Sequence, residues 1–172
     1  YMARMVSVVR MPSALAVFFA LFAVVFVFYG AVITALPLLL NDEFGVSAGV
    51  IGFILAGEAL SSAIVASQYG RISQYRTASE LVALGFVASG ASLLLVWLSP
   101  TIHAIAAALF VFGVGFGIIF PSTDTAIISL VSEDLRAGMM GMRTSMLRLG
   151  QTLGPIGFTF SAEVFFETTV QG

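Results

Sequence analysis

The sequence has no cysteine and no lysine, a single histidine, and charged side chains at only 9% of its 172 positions. Without cysteine there is no disulfide framework, no thiol nucleophile and no thiolate metal site, and the redox compartment leaves no mark on the chain. One histidine argues against a metal centre, and no cofactor is implied. All seven cations are arginine, a bias that source-genome composition explains as well as anything. A net charge of −2 and a pI near 5.2 leave no basic footprint for nucleic acid.

Apolar residues fill the space that charge leaves. They make up 59% of the chain, mean hydropathy is +1.07, and soluble domains carry about 25% charged residues. The chain is therefore expected to be an integral membrane protein, with the bilayer as its first partner. A spanning helix takes about 20 apolar residues, so the length accommodates five spans and almost no soluble domain. The chain opens on Tyr1 rather than Met, and we read it as part of a longer polypeptide. Ser13 to Leu40 is almost unbroken, too long for the roughly 7–15-residue core of a signal peptide.

Breakers and polar turns set the expected boundaries. Residues 1–13 read as the end of a cytoplasmic linker and 14–172 as one all-α transmembrane unit. Spans are expected at about 14–40, 48–69, 81–98, 102–120 and 139–160, the fourth running on through Pro121 to about 130. "NDEFGVS", "YGRISQYRTASE", "SPT" and "VSEDLRAG" are the loops between them. Ser99-Pro100 ends one helix, and Thr101 is placed to cap the next. Arg4, Arg10, Arg71, Arg76 and Arg136 all fall on one side, whereas "NDEFGVS" and "SPT" have no cation. By the positive-inside rule the arginine-bearing side, residue 1 included, is cytoplasmic, and the protein is a multi-pass cell-membrane protein.

Few polar groups lie deep. Glu58 stands about 16 Å into the second span, near the midplane, and shares a stripe with Ser61, Ser62 and Gln68. Such a stripe suits a polar cavity; the competing reading is a protonated carboxyl that bonds a neighbouring helix. In the fifth span Thr144, Arg148, Gln151, Thr152, Pro155 and Thr159 form one polar face, and Gly150, Gly154, Gly157 and Ser161 a small-residue packing face. Pro155 removes an amide donor and allows a kink. Gly113, Gly115 and Gly117 lie inside an apolar span and form a packing surface rather than a phosphate loop. Arg143 reads as an interfacial anchor that snorkels, and Asp124 as a solvated or structural acid within reach of Arg143 or Arg136. His103 reads as an interfacial residue, and Glu163 and Glu167 as solvated.

Taken together, "YGAVITALPLLL", "FGVSAGVIGFILAGEAL", "YGRISQYR", "GVGFGIIFPS" and "SEDLRAGMMG" leading into "GQTLGP" resemble the major facilitator superfamily, whose transporters have two six-helix halves. In that family a first-half loop carries Gly-x-x-x-Asp-Arg-x-Gly-Arg. Here Gly70 matches, while Gln74 and Tyr75 stand at the Asp and Arg positions, and the fourth span lacks the intramembrane Arg common in first halves. The resemblance therefore implies the second half, helices seven to eleven, with Gly70, Arg71, Arg76 and Arg136 in cytoplasmic loops and the first half as missing partner. The family's antiporter motif matches at Gly141, Gly150, Gly154 and Pro155 and departs at Phe158 and Thr159. It implies proton-coupled efflux and leaves symport and uniport open.

The expected function is secondary active transport of a small solute by alternating access, with no covalent chemistry. Tyr29, Glu58, Arg148 and Gln151 are the expected pathway residues. Glu58 would be proton-titratable or cation-pairing, Arg148 its partner or an anion contact, and Tyr29 and Gln151 hydrogen-bonding groups. A membrane-embedded enzyme built on His103 and Asp124 is disfavoured, because about 30 Å of helix separates them. The alternative is a non-transporting assembly subunit whose polar stripes serve helix packing.

Overall fold

A computed structural model describes the backbone of residues 2–170 and the side chains of residues 4, 5 and 7–161. The expectation for Glu163 and Glu167 therefore falls outside the described side chains, as do residues 1, 171 and 172 outside the described chain. Among the described residues every element is helical. They are α1 (Met2–Val9), α2 (Pro12–Val27), a π-helical segment (Phe28–Ala35), α3 (Leu36–Phe44), α4 (Ala48–Ser67), α5 (Tyr69–Ile72), α6 (Ala78–Leu98), α7 (Ile102–Ser129) and α8 (Glu133–Val170). The stretch expected as a linker end is thus largely helix α1.

Local chemistry sets most ends. Pro12 opens α2 at a position where a missing amide costs nothing. α3 stops at Gly45, whose φ of +61° is left-handed, and the amides of Gly45 and Val46 return to Asn41 O and Leu40 O at 3.0 and 3.2 Å in a Schellman pattern. α6 starts on a capping box: Glu80 N donates to Thr77 Oγ1 at 3.3 Å, and Thr77 N to Glu80 Oε2 at 3.0 Å. Thr101 caps α7 by accepting from Ala104 N at 3.4 Å. The "EDLRAG" part of the expected loop "VSEDLRAG" opens α8 at Glu133. Acids there suit the positive end of the helix dipole, and the Ser132 hydroxyl holds the Asp134 carboxyl below the usual carboxylate range.

Among the described residues four helices are long and apolar enough to cross a membrane: Pro12–Phe44, Ala48–Ser67, Ala78–Leu98 and Ile102–Ser129. The fifth expected span lies within α8, which is long enough but is not among the four, because Arg143, Arg148 and Gln151 interrupt its apolar run. α7 is the centre of the bundle, packed by α6 on one side and α4 on another, with α2 beside it; α8 lies along α2 and the π segment.

Close approach rather than water exclusion holds helices together in lipid, and the glycines show where it occurs. A Cβ on Gly113 would strike Ser61 and the Glu58 backbone, one on Gly117 the Ser62 backbone, and one on Gly115 the backbone and side chain of α6 at Gly85 and Ser89. Buried hydroxyls add cross-helix bonds: Ser61 Oγ donates to Phe110 O at 2.9 Å, and Ser92 Oγ to Ala108 O. Outward faces carry exposed Phe19, Phe53, Val87, Leu94 and Trp97, a surface suited to hydrocarbon.

Candidate functional site

The π segment places the first polar group. Its amides reach back one residue further than in an α-helix, as with Leu36 N to Ala31 O, and the Thr34 hydroxyl donates to Tyr29 O at 2.7 Å. π turns occur preferentially at functional positions. Tyr29 is half-buried, its ring edge-on to Phe28 at 5.3 Å, and its hydroxyl points to α8.

There Gln151 Nε2 donates to Tyr29 Oη at 3.2 Å, and Arg148 Nη1 donates to Gln151 Oε1 at 3.0 Å. The result is a relay from an exposed guanidinium through a half-buried amide to a phenol on another helix. Glycines on the same turns bring the helices together: Gly150 lies against Phe22 and Val25, Gly154 against Phe26 and Gly30, and Gly157 against the Phe26 ring. Arg148 spends one of its five donors on Gln151 and makes no ion pair among the described residues.

Glu58 is elsewhere. It is 4% exposed in the α4–α7 contact, and its Oε1 has no hydrogen-bond partner among the described residues. Of its stripe, Ser61 and Ser62 lie against Gly113 and Gly117 of α7, and Gln68 is exposed at the helix end. The expected Glu58–Arg148 pair is not formed, because α4 packs on α7 whereas α8 packs on α2. The structure thus brings Tyr29, Gln151 and Arg148 together and leaves Glu58 apart.

Near the arginine-bearing end, Arg143 forms an ion pair with Asp124 and lies over the Phe120 ring, 5.7 Å from its centroid. Its side chain is 13% exposed, so it is a cross-helix tie between α7 and α8 and not a snorkelling anchor. Below it Phe112, Phe116 and Phe120 stand one turn apart on α7, and Phe28 stacks on Phe112 and lies tilted against Phe116, at centroid distances of 6.1 and 4.5 Å. The i, i+4 spacing of these phenylalanines is a signal in the sequence that our reading missed.

The remaining positions are peripheral. Arg71 and Arg76 are exposed, and a side chain at Gly70 or Gly141 would meet open space. Arg136 contacts Glu133 at 3.5 Å, and Arg4 reaches Asp134 at 3.5 Å. α8 continues as helix through Pro155. Among the described residues no three His, Asp or Glu side chains converge as metal ligands. His103 and Asp124 sit at opposite ends of the single helix α7.

A bundle of apolar helices with glycine-mediated contacts and a partly buried polar relay agrees with the family comparison. The chain belongs to the Major Facilitator Superfamily, whose family model matches residues 17–167. It is a multi-pass membrane protein of a family of transporters, not enzymes. No curated protein and no solved structure matches the chain.

Proposed function

We propose that the chain is the second half, helices seven to eleven, of a secondary active transporter that moves a small solute across the cell membrane by alternating access. In this reading α2 with α3, α4, α6, α7 and α8 are five successive spans. The arginine-bearing ends face the cytoplasm, and a first six-helix half of the same polypeptide closes the pathway. Tyr29, Gln151 and Arg148 form the solute contact, with Arg148 receiving an anionic or carbonyl group. Glu58 is the proton-titratable or cation-pairing group, and proton-coupled efflux is the direction that the glycine motif of α8 favours.

The observation that carries this reading is the Arg148–Gln151–Tyr29 relay, which ties an exposed intramembrane cation to the π-helical segment of the first span. Charged groups at such depth mark solute and ion pathways. The packing of Ser61 and Ser62 on α7 glycines favours the second reading, an assembly subunit, for that stripe alone.

Full-length protein in pyranine-loaded liposomes, pulsed with organic cations, organic anions and sugars, tests it. The expected result is solute-dependent proton flux, reduced at least about tenfold by Arg148→Ala or Gln151→Ala, as for loss of a charge-assisted contact, and uncoupled from pH by Glu58→Gln. No flux of any solute would support the assembly subunit. Flux unchanged in all three variants would refute the site.

A further inference from the structure

The polar relay between α8 and the π segment has a direction, and the direction decides what it can hold. A guanidinium offers donors and no acceptor, so the side of Gln151 that meets Arg148 is its carbonyl, Nη1 donating to Oε1 at 3.0 Å. The amide nitrogen is thereby turned to the π segment and donates to Tyr29 Oη at 3.2 Å. With its oxygen engaged as acceptor, the phenol keeps its own proton to give. Among the described residues Tyr29 Oη makes no other hydrogen bond. The remaining N–H groups of Arg148 and the second N–H of Gln151 are donors as well. Within the relay no acceptor is left over.

Charge agrees with this polarity. No acid occurs on α2 or the π segment, and none on α8 between Asp134 and Glu163. Asp124 is paired with Arg143, and Glu58 is buried in the α4–α7 contact. The relay therefore carries the positive charge of Arg148 with no carboxylate beside it. A solute that brings a cation meets repulsion there, and one that brings only hydroxyls gains no charge-assisted bond. The two ends are also separate, because Arg148 and Tyr29 are joined through the Gln151 amide. They meet different groups of one solute: a carboxylate matches the guanidinium edge in a fork of paired bonds, and a second oxygen takes the phenol proton.

Resting on the reading of these residues as the solute contact, we propose that the solute is a small carboxylate with a second oxygen acceptor, such as an oxo acid. The carboxylate lies on Arg148 and the second oxygen on Tyr29. Gln151 is the positioning residue that makes both ends donate.

The test is scintillation-proximity binding of tritiated levulinate, a carboxylate with a ketone, to the full-length protein in nonionic detergent, beside levulinate flux in liposomes. Valerate has the same carbon chain without the ketone. Unlabelled levulinate competes best and valerate about fivefold more weakly, as one neutral hydrogen bond gives, while choline and glucose do not compete. Tyr29→Phe weakens levulinate to the level of valerate and leaves valerate as it was, which a merely structural loss would not do. In Gln151→Glu the new carboxylate pairs with Arg148 and takes the Tyr29 proton, so both acids are lost while the thermal midpoint does not fall. The proposal is overturned if levulinate does not bind, if choline or glucose displaces it, if Tyr29→Phe weakens both acids alike, or if Gln151→Glu still binds them. Flux of choline or glucose without levulinate binding overturns it and leaves the transport reading in place. Levulinate that binds but is not carried into liposomes refutes transport and upholds the anion contact.

Discussion

Replacing Gly154 by alanine probes the contact on which the relay depends. A methyl group there would lie 2.5 Å from the Phe26 carbonyl oxygen and 3.1 Å from the Gly30 amide nitrogen. Both are helix backbone atoms, so neither can rotate away. Favourable C–H···O contacts begin at about 3.3 Å, so α2 would have to withdraw by roughly 0.8 Å along this stretch. Forcing an extra methyl into a packed site costs about 1–3 kcal/mol, and removing glycine from a helix returns about 1 kcal/mol. The net expectation is a loss of up to about 2 kcal/mol. Gly141 in the same helix is the control, since its Cβ would meet nothing within 4 Å and Gly141→Ala keeps only the gain of about 1 kcal/mol. Thermal unfolding of the full-length protein in nonionic detergent, followed by circular dichroism, should therefore move in opposite directions for the two variants. Equal midpoints, or Gly154→Ala above wild type, would refute the close α2–α8 contact.

Three further outcomes rest on single features. Asp124 and Arg143 should couple by about 1–3 kcal/mol in a double-mutant cycle, below the roughly 3–5 kcal/mol cost of breaking a fully buried pair, because the Asp124 side chain is 36% exposed; strict additivity would remove the tie. Gly45→Ala should cost about 1–2 kcal/mol through its left-handed φ alone, since nothing lies within 4 Å of the added Cβ, while Gly49→Ala, helical and equally open, should not destabilise. Thr77→Ala should cost about 1 kcal/mol by ending the capping box and Thr77→Ser much less, measured by denaturant or thermal unfolding; equal losses would discount the cap.

The helix boundaries that were legible in the sequence are those written in local chemistry. The Ser99-Pro100-Thr101 turn acts within a few residues of itself, so reading along the chain finds it; Gly45 and Thr77 are equally local signals, but they lie inside stretches read only as loop. The start of α8 was hidden because Glu133 and Asp134 look like loop residues unless their favourable position at a helix N-terminus is counted. Three-dimensional pairing was harder. Helical spacing picks out Arg148 with Gln151 on α8, yet Tyr29 joins them only because Gly150 and Gly154 bring α2 close. Glu58 has a stripe that looks similar, but the glycines opposite it lie on α7, so it meets a different neighbour. Arg143 is near enough to the loop to snorkel, and although Asp124 is within reach of either Arg143 or Arg136, only the packing of α7 on α8 selects Arg143 and reveals Phe120 beneath it.

The π segment bears on how the first span can change. A stretch bonded to the fifth residue back holds more residues per turn than its neighbours, so α2 and α3 are out of phase by an angle that no uniform helical wheel reproduces. At its start Phe28 faces α7 and Tyr29 faces α8, as successive residues about 100° apart on any helix can; the offset acts on the residues that follow. Returning part of the stretch to α-helical bonding would twist α3, with Leu36 and Leu40, about the shared axis while every peptide bond and both ends of the rod stayed in place. Loss of a single residue within Phe28–Ala35 would have the same effect permanently, which makes this the one place in the span where chain length and facing direction can be exchanged.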